Sequence, residues 1–291
     1  MLLRHCLLAL ISAHHKSRIF QVIVVDNGST DSTEDVVKGA AKNLAISYIV
    51  EENVGLSYAR NAGAKAANTK WLLYIDDDAK VCQDIIAQAK DCIKEYNFKI
   101  VSGIYVPWYL QTKPSWIPES FGEYQVQSPA EVRPIGANHL SGGIMLISKA
   151  VLCDLGYFPT DLGMIADKIA YGEDTYIQYL AEQRGIPVGI NPFMKMEHLV
   201  ADYKLSLRWM LKAEYARGRD LFFKYRFGKT TLLRKILSLL VRTPQYLVLM
   251  LVDLIASGKP MKRVVLDHMA PIFRQAGKVV GFFKYKDLHR A

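Results

Sequence analysis

Residues 70–80 read KWLLYIDDDAK. Residues 70 to 75 are mostly apolar and aromatic, and they fit a short buried strand. Three acids follow at once: Asp76, Asp77 and Asp78. Like charges this close repel unless something positive lies among them. A strand-end Asp-x-Asp suits Mg²⁺ or Mn²⁺, because hard cations take carboxylate oxygens and leave coordination positions for substrate phosphates. If the strand continues, Asp76 and Asp78 share a face, since alternate residues do. Taken alone, the triplet fits an exposed acidic loop as well.

Outward from this strand the pattern repeats. Residues 2 to 13 fit an amphipathic helix. FQVIVV (20–25) is a β-branched run that stops at DNGSTD, a buried strand entering a turn. Ser29, Thr30 and Asp31 are N-cap types for a helix running to about Lys42. ISYIVE (46–51) is the next strand and GLSYARNAGAKAA (55–67) a small-residue helix. A helix over about 83–96 and a strand over 99–107 follow the acids. SGGIMLIS (141–148) returns to strand, GEDTYIQYLAEQRG (172–185) to helix, and PVGINPFMKMEHL to a strand-like run ending at His198. Short strands alternating with helices predict an α/β fold with a largely parallel sheet. Ligands of such sheets bind beyond the carboxyl ends of the strands, where both DNGSTD and DDDA fall. Prolines 107, 114, 118, 129 and 134 break regular structure between residues 108 and 138, which reads as a loop that shapes a pocket.

Composition sets bounds. The chain has 291 residues, 51% of them apolar and 22% charged, so it is globular and large enough for one or two domains. Its four cysteines form no CxxC pair and read as reduced thiols of a cytosolic protein. Charge is uneven: residues 1–202 carry a net −5 and residues 203–291 a net +14. Lys and Arg alternate there with Leu, Phe, Tyr and Trp, as in LFFKYRFGK (221–229) and GFFKYKDL (281–288). That mixture suits interfacial helices on an anionic membrane surface. Helices packed on the body are the plainer explanation, and nothing resembles a nucleic-acid module. The longest charge-free apolar run, Gln245 to Val252, is short of the roughly 20 residues needed to span a bilayer. Helix breaks are expected near Gly228, Pro244, Gly258-Lys259-Pro260 and Pro271. The expected division is a body of residues 1–205 and a basic amphipathic region of residues 206–291, peripheral on the cytoplasmic membrane face.

Six blocks, VIVVDNGSTDST, NVGLSYARNAGAKAA, WLLYIDDDA, SGGIMLISKAVL, GEDTYIQYLAEQRG and EHLV, stand in the order and at roughly the spacing of family 2 glycosyltransferases. The chain resembles these inverting enzymes of the glycosyltransferase-A fold over about residues 1–220. The resemblance implies a Rossmann-like, mostly parallel sheet, a nucleotide-sugar donor and a divalent cation, Mn²⁺ or Mg²⁺. It implies that Asp26 and Asn27 contact the base or ribose, and that Arg60 lies near the base or pyrophosphate. Asp76 and Asp78 would hold the ion and the donor's ribose and diphosphate, with His198 near the metal or pyrophosphate. Gly142 and Gly143 would let donor or acceptor approach closely. Asp174 would be the general base, with Glu173 assisting or orienting it.

Inversion is one in-line displacement, so a single carboxylate must take the acceptor hydroxyl's proton. The leaving nucleoside diphosphate needs a cation for its developing charge. Two departures from the family pattern stand out. Members usually begin with a strand before the first helix, whereas this sequence starts inside that helix, so either the start lies upstream of Met1 or the first strand is missing. LSLRW (205–209) carries Leu205 where processive synthases have Gln, which argues for transfer of a single sugar. The expected acceptor is a glycan or a lipid-linked acceptor in surface polysaccharide or glycoconjugate synthesis. A nucleotide-sugar pyrophosphorylase is a weaker reading, since no Gly-rich basic loop is visible. A catalytically inactive nucleotide-sugar-binding or scaffold protein is the alternative from another class.

Overall fold

The computed structural model describes residues 2–16, 20–124, 131–166, 168–221 and 228–285. Two compact units emerge. One comprises Met1–Trp108, Gly122–Ala166 and Glu173–Leu199; the other comprises Tyr109–Phe121, Asp167–Gly172 and Val200–Ala291.

The first unit is α/β. Its helices are α1 (Leu2–Lys16), α2 (Thr33–Ala40), α3 (Leu56–Ala66), α4 (Ile85–Glu95), α5 (Lys149–Asp154) and α6 (Glu173–Gln183). Its strands are β1 (Val22–Asp26), β2 (Ile46–Val50), β3 (Trp71–Ile75), β4 (Ala79–Val81), β5 (Ile100–Trp108), β6 (Arg133–Pro134), β7 (Ile144–Ser148) and β8 (Val188–Leu199). The main sheet has the order β3-β7-β5-β8-β4, with β6 on β8. β5 and β8 pair in parallel, and β7 lies antiparallel between β3 and β5. Thus β3, β5 and β8 run the same way, and the reversed members are β7 and the short β4 and β6.

Both faces of this sheet are covered, and β7 shows why. Its residues alternate between two cores. Ile144 and Leu146 pack with Cys6, Leu10, Ile85 and Met194 on the face carrying α1 and α4. Met145 and Ile147 pack with Leu152, Ile177 and Ala181 on the face carrying α5 and α6. Four consecutive apolar residues are what a strand buried on both sides requires.

β1 and β2 form a separate parallel pair. Among the described pairings β1 bonds only β2, and β3 bonds only β7. A cavity of about 130 Å³, lined by Gln21, Ile23, Ala64, Ala67 and Trp71 to Tyr74, lies beside both strands and α3. β1 and β3 thus flank a discontinuity between the two sheets.

The second unit holds α7 (Leu207–Asp220), α8 (Lys229–Ala256) and α9 (Met261–Tyr285). α7 and α9 touch backbone to backbone. A Cβ at Gly218 would overlap the Arg274 carbonyl, and one at Gly277 would overlap the Tyr215 carbonyl. Trp116, Ile117, Met210 and Leu266 form a small core of their own. The expected breaks at Pro244 and Pro271 do not occur: α8 and α9 run through them. Each proline removes one backbone donor, and both helices continue past that loss. As a result α8 has 28 residues, about 42 Å, and is long and apolar enough to cross a membrane, contrary to the sequence expectation. The aromatic-basic residues 222–227 and 286–288 lie outside the described residues.

Candidate active site

The acids do not converge by strand alternation. β3 ends at Ile75, the chain turns through Asp76 to Asp78, and β4 begins at Ala79. β4 then pairs with the end of β8, setting Ala79 opposite His198. That register brings His198 Nε2 to 3.0 Å from Asp78 Oδ1 and 3.6 Å from Asp76 Oδ2. One donor atom from each residue fits within a 4.8 Å cluster. The Asp78 carbonyl is fixed by Leu199 N–H at 3.2 Å and by the Trp108 indole at 3.3 Å. Two carboxylates and an imidazole are a donor set that Mn²⁺ or Mg²⁺ accepts. β4 is three residues long, too short to announce itself in the sequence.

Arg60, on α3, is the hub beside this cluster. It is buried, 7% exposed. Its Nη1 donates to Glu173 Oε1 at 2.6 Å, and its Nη2 to Asp76 Oδ1 at 3.3 Å. Its guanidinium lies 5.6 Å from the Phe158 ring centre. Burial works against its charge, but Glu173, Asp76 and Asp174 overcome that and raise its pKa. The family resemblance puts Arg60 near the base or pyrophosphate; in the structure two of its N–H groups go to carboxylates.

Glu173 and Asp174 are neighbours with different surroundings. Glu173 is 6% exposed, and burial followed by repulsion from Asp174 lifts its pKa to about 7, against the pull of Arg60. Asp174 is only partly buried. Its Oδ2 accepts from Gly142 N–H at 2.9 Å. Its Oδ1 accepts from Thr175 N–H at 2.6 Å and from Thr175 Oγ1 at 3.1 Å. Thr175 is a member of the site that the sequence patterns do not single out; a polar residue just after the acid pair is the one signal for it. Two adjacent carboxylates held this differently can take different parts in acid–base chemistry.

Gly142 and Gly143 make room for the protein's own groups. A Cβ on Gly142 would stand 2.5 Å from Arg60 Nη1, and one on Gly143 would overlap Asp76 Oδ2. Gly143→Ala is therefore expected to push the Asp76 carboxylate aside and weaken Mn²⁺ binding tenfold to a hundredfold, the usual effect of losing support to a ligand. A Mn²⁺ titration of the folded variant, read by calorimetry, checks this.

At the first rim loop, Asp26 accepts from Ser29 N–H at 2.8 Å and from the Tyr48 hydroxyl. Burial opposes its charge, and these bonds outweigh it, so its pKa lies below the usual carboxylate value. Tyr48 rises to about 12 by donating to that carboxylate. Asn27 donates to the carbonyls of Glu51 and Asn53, both at 2.8 Å, and accepts from Gly55 N–H at 2.6 Å. Both of its amide hydrogens therefore tie neighbouring loops together. Asp31 takes Thr33 N–H at 3.1 Å, and helix α2 starts at Thr33, later than the Ser29–Asp31 cap suggests.

This arrangement, an acid cluster at the carboxyl end of β3 facing a glycine pair and an acid-led helix, belongs to the glycosyltransferase-A fold. The mannosyltransferase PcManGT of Pyrobaculum calidifontis, solved with GDP-Man and Mn²⁺, superposes with a TM-score of 0.59 at 18% identity, over 97% of this chain and 82% of that one. Staphylococcus aureus TarS 1-349, solved with UDP-GlcNAc, gives 0.54 at 16% identity, over 98% and 88%. The model of glycosyl transferase family 2 matches residues 2–156, and the chain belongs to that family. Among curated relatives, a glucosyl-dolichyl phosphate glucuronosyltransferase of Haloferax volcanii is 25% identical over 58% of this chain and 55% of its own length. Glycosyltransferase GlyA of Streptococcus pneumoniae serotype 4 is 34% identical over 35% of this chain and 15% of its own length. The chain thus spans about half or less of these relatives.

Proposed function

We propose that the protein moves one sugar, with inversion, from a nucleoside-diphosphate-sugar to a glycan or lipid-linked acceptor in surface polysaccharide or glycoconjugate synthesis. The observation that carries this reading is the convergence of Asp76, Asp78 and His198 beside Arg60 and the partly open Asp174. Asp76, Asp78 and His198 would hold Mn²⁺ or Mg²⁺, which when bound supplies positive charge to the leaving diphosphate. Asp26 would meet the nucleoside, with Asn27 shaping the loop around it. Asp174 would take the acceptor proton, and the N–H groups of Gly142 and Thr175 would hold that carboxylate in place. Glu173 would set Arg60, and Arg60 would set Asp76. The fold neighbours solved with GDP-Man and Mn²⁺ and with UDP-GlcNAc support a nucleotide-sugar donor.

The reading extends to an anionic membrane surface, reached from the cytoplasmic side through residues 206–291. On α8, Leu237, Val241, Val248, Leu251, Val252 and Ile255 recur at helical spacing and are all exposed. Arg242 stands mid-helix, where a spanning orientation costs about 3 kcal/mol. A helix lying in the interface avoids that cost.

The separation of β1 and β2 from the main sheet favours a second reading, an inactive nucleotide-sugar-binding protein. Thermal unfolding with UDP or GDP and Mn²⁺, followed by an assay of nucleoside diphosphate release, tests both. A ligand at a hundred times its Kd stabilises by about 2.7 kcal/mol. The expected result is a metal-dependent rise in Tm that Asp78→Ala abolishes, together with diphosphate release. A rise without turnover would select the second reading. No rise with either nucleotide would remove both.

A further inference from the structure

The second unit contains a cleft of about 460 Å³ that plays no part in the proposed transfer chemistry. It lies among α7, α8 and α9 and is large enough for a small organic ligand. Trp209, Tyr246 and Phe121 contribute aromatic walls, and Ser238, Thr243 and Gln275 contribute polar groups. Four cations line it: Arg217, Arg242, Arg274 and Lys278. Two carboxylates line it as well, Glu214 and Asp267, and each already has basic partners. Glu214 accepts from Arg217 at 2.6 Å and from Arg274 Nε at 2.5 Å. Asp267 accepts from Arg263 at 2.8 Å and from Lys259 at 3.3 Å.

The local charge is therefore positive. Burial lowers the Lys278 pKa, and the nearby charges of Lys235 and Arg274 lower it further. A dianion or monoanion placed among these groups would relieve that crowding. Arg242 offers a planar N–H pair, which suits phosphate oxygens, whereas Arg274 gives its Nε and Nη2 to Glu214 and contributes charge alone.

The helical faces bear on the source of the anion. Ser238, Arg242, Thr243 and Tyr246 line the cleft. Leu237, Val241, Val248 and Val252, exposed, fall on the opposite side of α8. A bilayer contacting the apolar stripe would thus leave the cleft on the aqueous side of the helix.

We propose that this cleft binds the phosphate group of a water-borne phosphate ester, at a site separate from the Asp76–Asp78–His198 cluster. The site goes beyond the transfer reading and does not depend on it.

The test uses the full chain in EDTA, which silences any metal-dependent nucleotide binding. Glycerol 3-phosphate is titrated by calorimetry, with glycerol as the uncharged control. Saturable binding is expected for glycerol 3-phosphate alone, weakened at least fivefold by Arg242→Gln and by Lys278→Met. Arg234→Gln, an exposed α8 charge outside the cleft, should leave it within twofold. Circular dichroism confirms folding of each variant, and the exposed Arg242 provides a variant that leaves buried packing intact. Three results would overturn the assignment. One is absence of saturable binding. Another is an equal loss in Arg234→Gln, which would mean diffuse attraction. The third is binding to phosphatidylglycerol vesicles, and not phosphatidylcholine vesicles, that Arg242→Gln weakens and Arg234→Gln spares, with none to glycerol 3-phosphate, which would make the cleft a lipid headgroup site.

Discussion

Asp174→Asn is expected to lower kcat about a thousandfold while changing the KM for the donor less than threefold. Removing a general base typically costs a factor of 10² to 10⁴, and an inverting displacement has no covalent intermediate through which to bypass it. The variant should also lose a little stability. Both Asp174 oxygens accept N–H donors, from Gly142 and Thr175. An Asn side chain offers one oxygen, so one N–H faces an NH₂ group, at about 1–3 kcal/mol. Glu173→Gln separates the two acids. Glu173 is buried against Arg60, so its loss should act on the site's shape and on pH dependence. Its folded pKa, about 7, lies above the ordinary 4.5. Within that window the folded chain keeps a proton that the unfolded chain has released, so stability falls as pH rises through it. Glu173→Gln should remove that slope in urea melts at pH 5 to 7.5, whereas Asp174→Asn, which takes away the lesser of the two causes of the shift, should only reduce it. Kinetics use the donor that the thermal screen selects. A kcat for Asp174→Asn within tenfold of the parent would remove Asp174 from the base role.

Much of this site is legible along the chain. The apolar runs at 20–25, 46–51, 70–75 and 141–148 each become a strand within a few residues, because β-branched and aromatic runs bounded by turn residues have little else to do. The acids stand where a strand-end rule puts them. What the sequence hides is pairing. Nothing local says that Ala79 faces His198, yet that register assembles the Asp76–Asp78–His198 cluster. Nor does ARN in a small-residue helix say that the Arg60 side chain will reach Glu173, 113 positions on. Nor does DNGSTD say that the Asn27 amide will reach the carbonyls of Glu51 and Asn53 and the N–H of Gly55. Pro244 misleads because α8 gives up one backbone hydrogen bond there and continues, rather than ending at the proline.

Arg60→Ala should be the most destabilising single change in the first unit. It leaves Glu173 buried and unpaired, and it strips Asp76 of its support. Breaking one side of a buried ion pair costs about 3–5 kcal/mol, which for a domain of this size is about 6–20 °C in Tm. Transfer activity should vanish with it, since Asp76 loses its orientation and Gly142 loses the guanidinium it packs on. Arg60→Lys should rescue little, because one ammonium cannot bridge two carboxylates in the way a guanidinium fork does. The double variant Arg60→Ala/Glu173→Gln removes both charges and should be about 2 kcal/mol more stable in urea than Arg60→Ala alone. Additive losses in that cycle would show that the two residues do not act as a pair, and Arg60 would then stabilise the unit chiefly through Phe158 and Gly142. A compensated double variant that still fails to bind Mn²⁺ would separate the two tasks of Arg60, folding through Glu173 and ordering the metal carboxylate through Asp76.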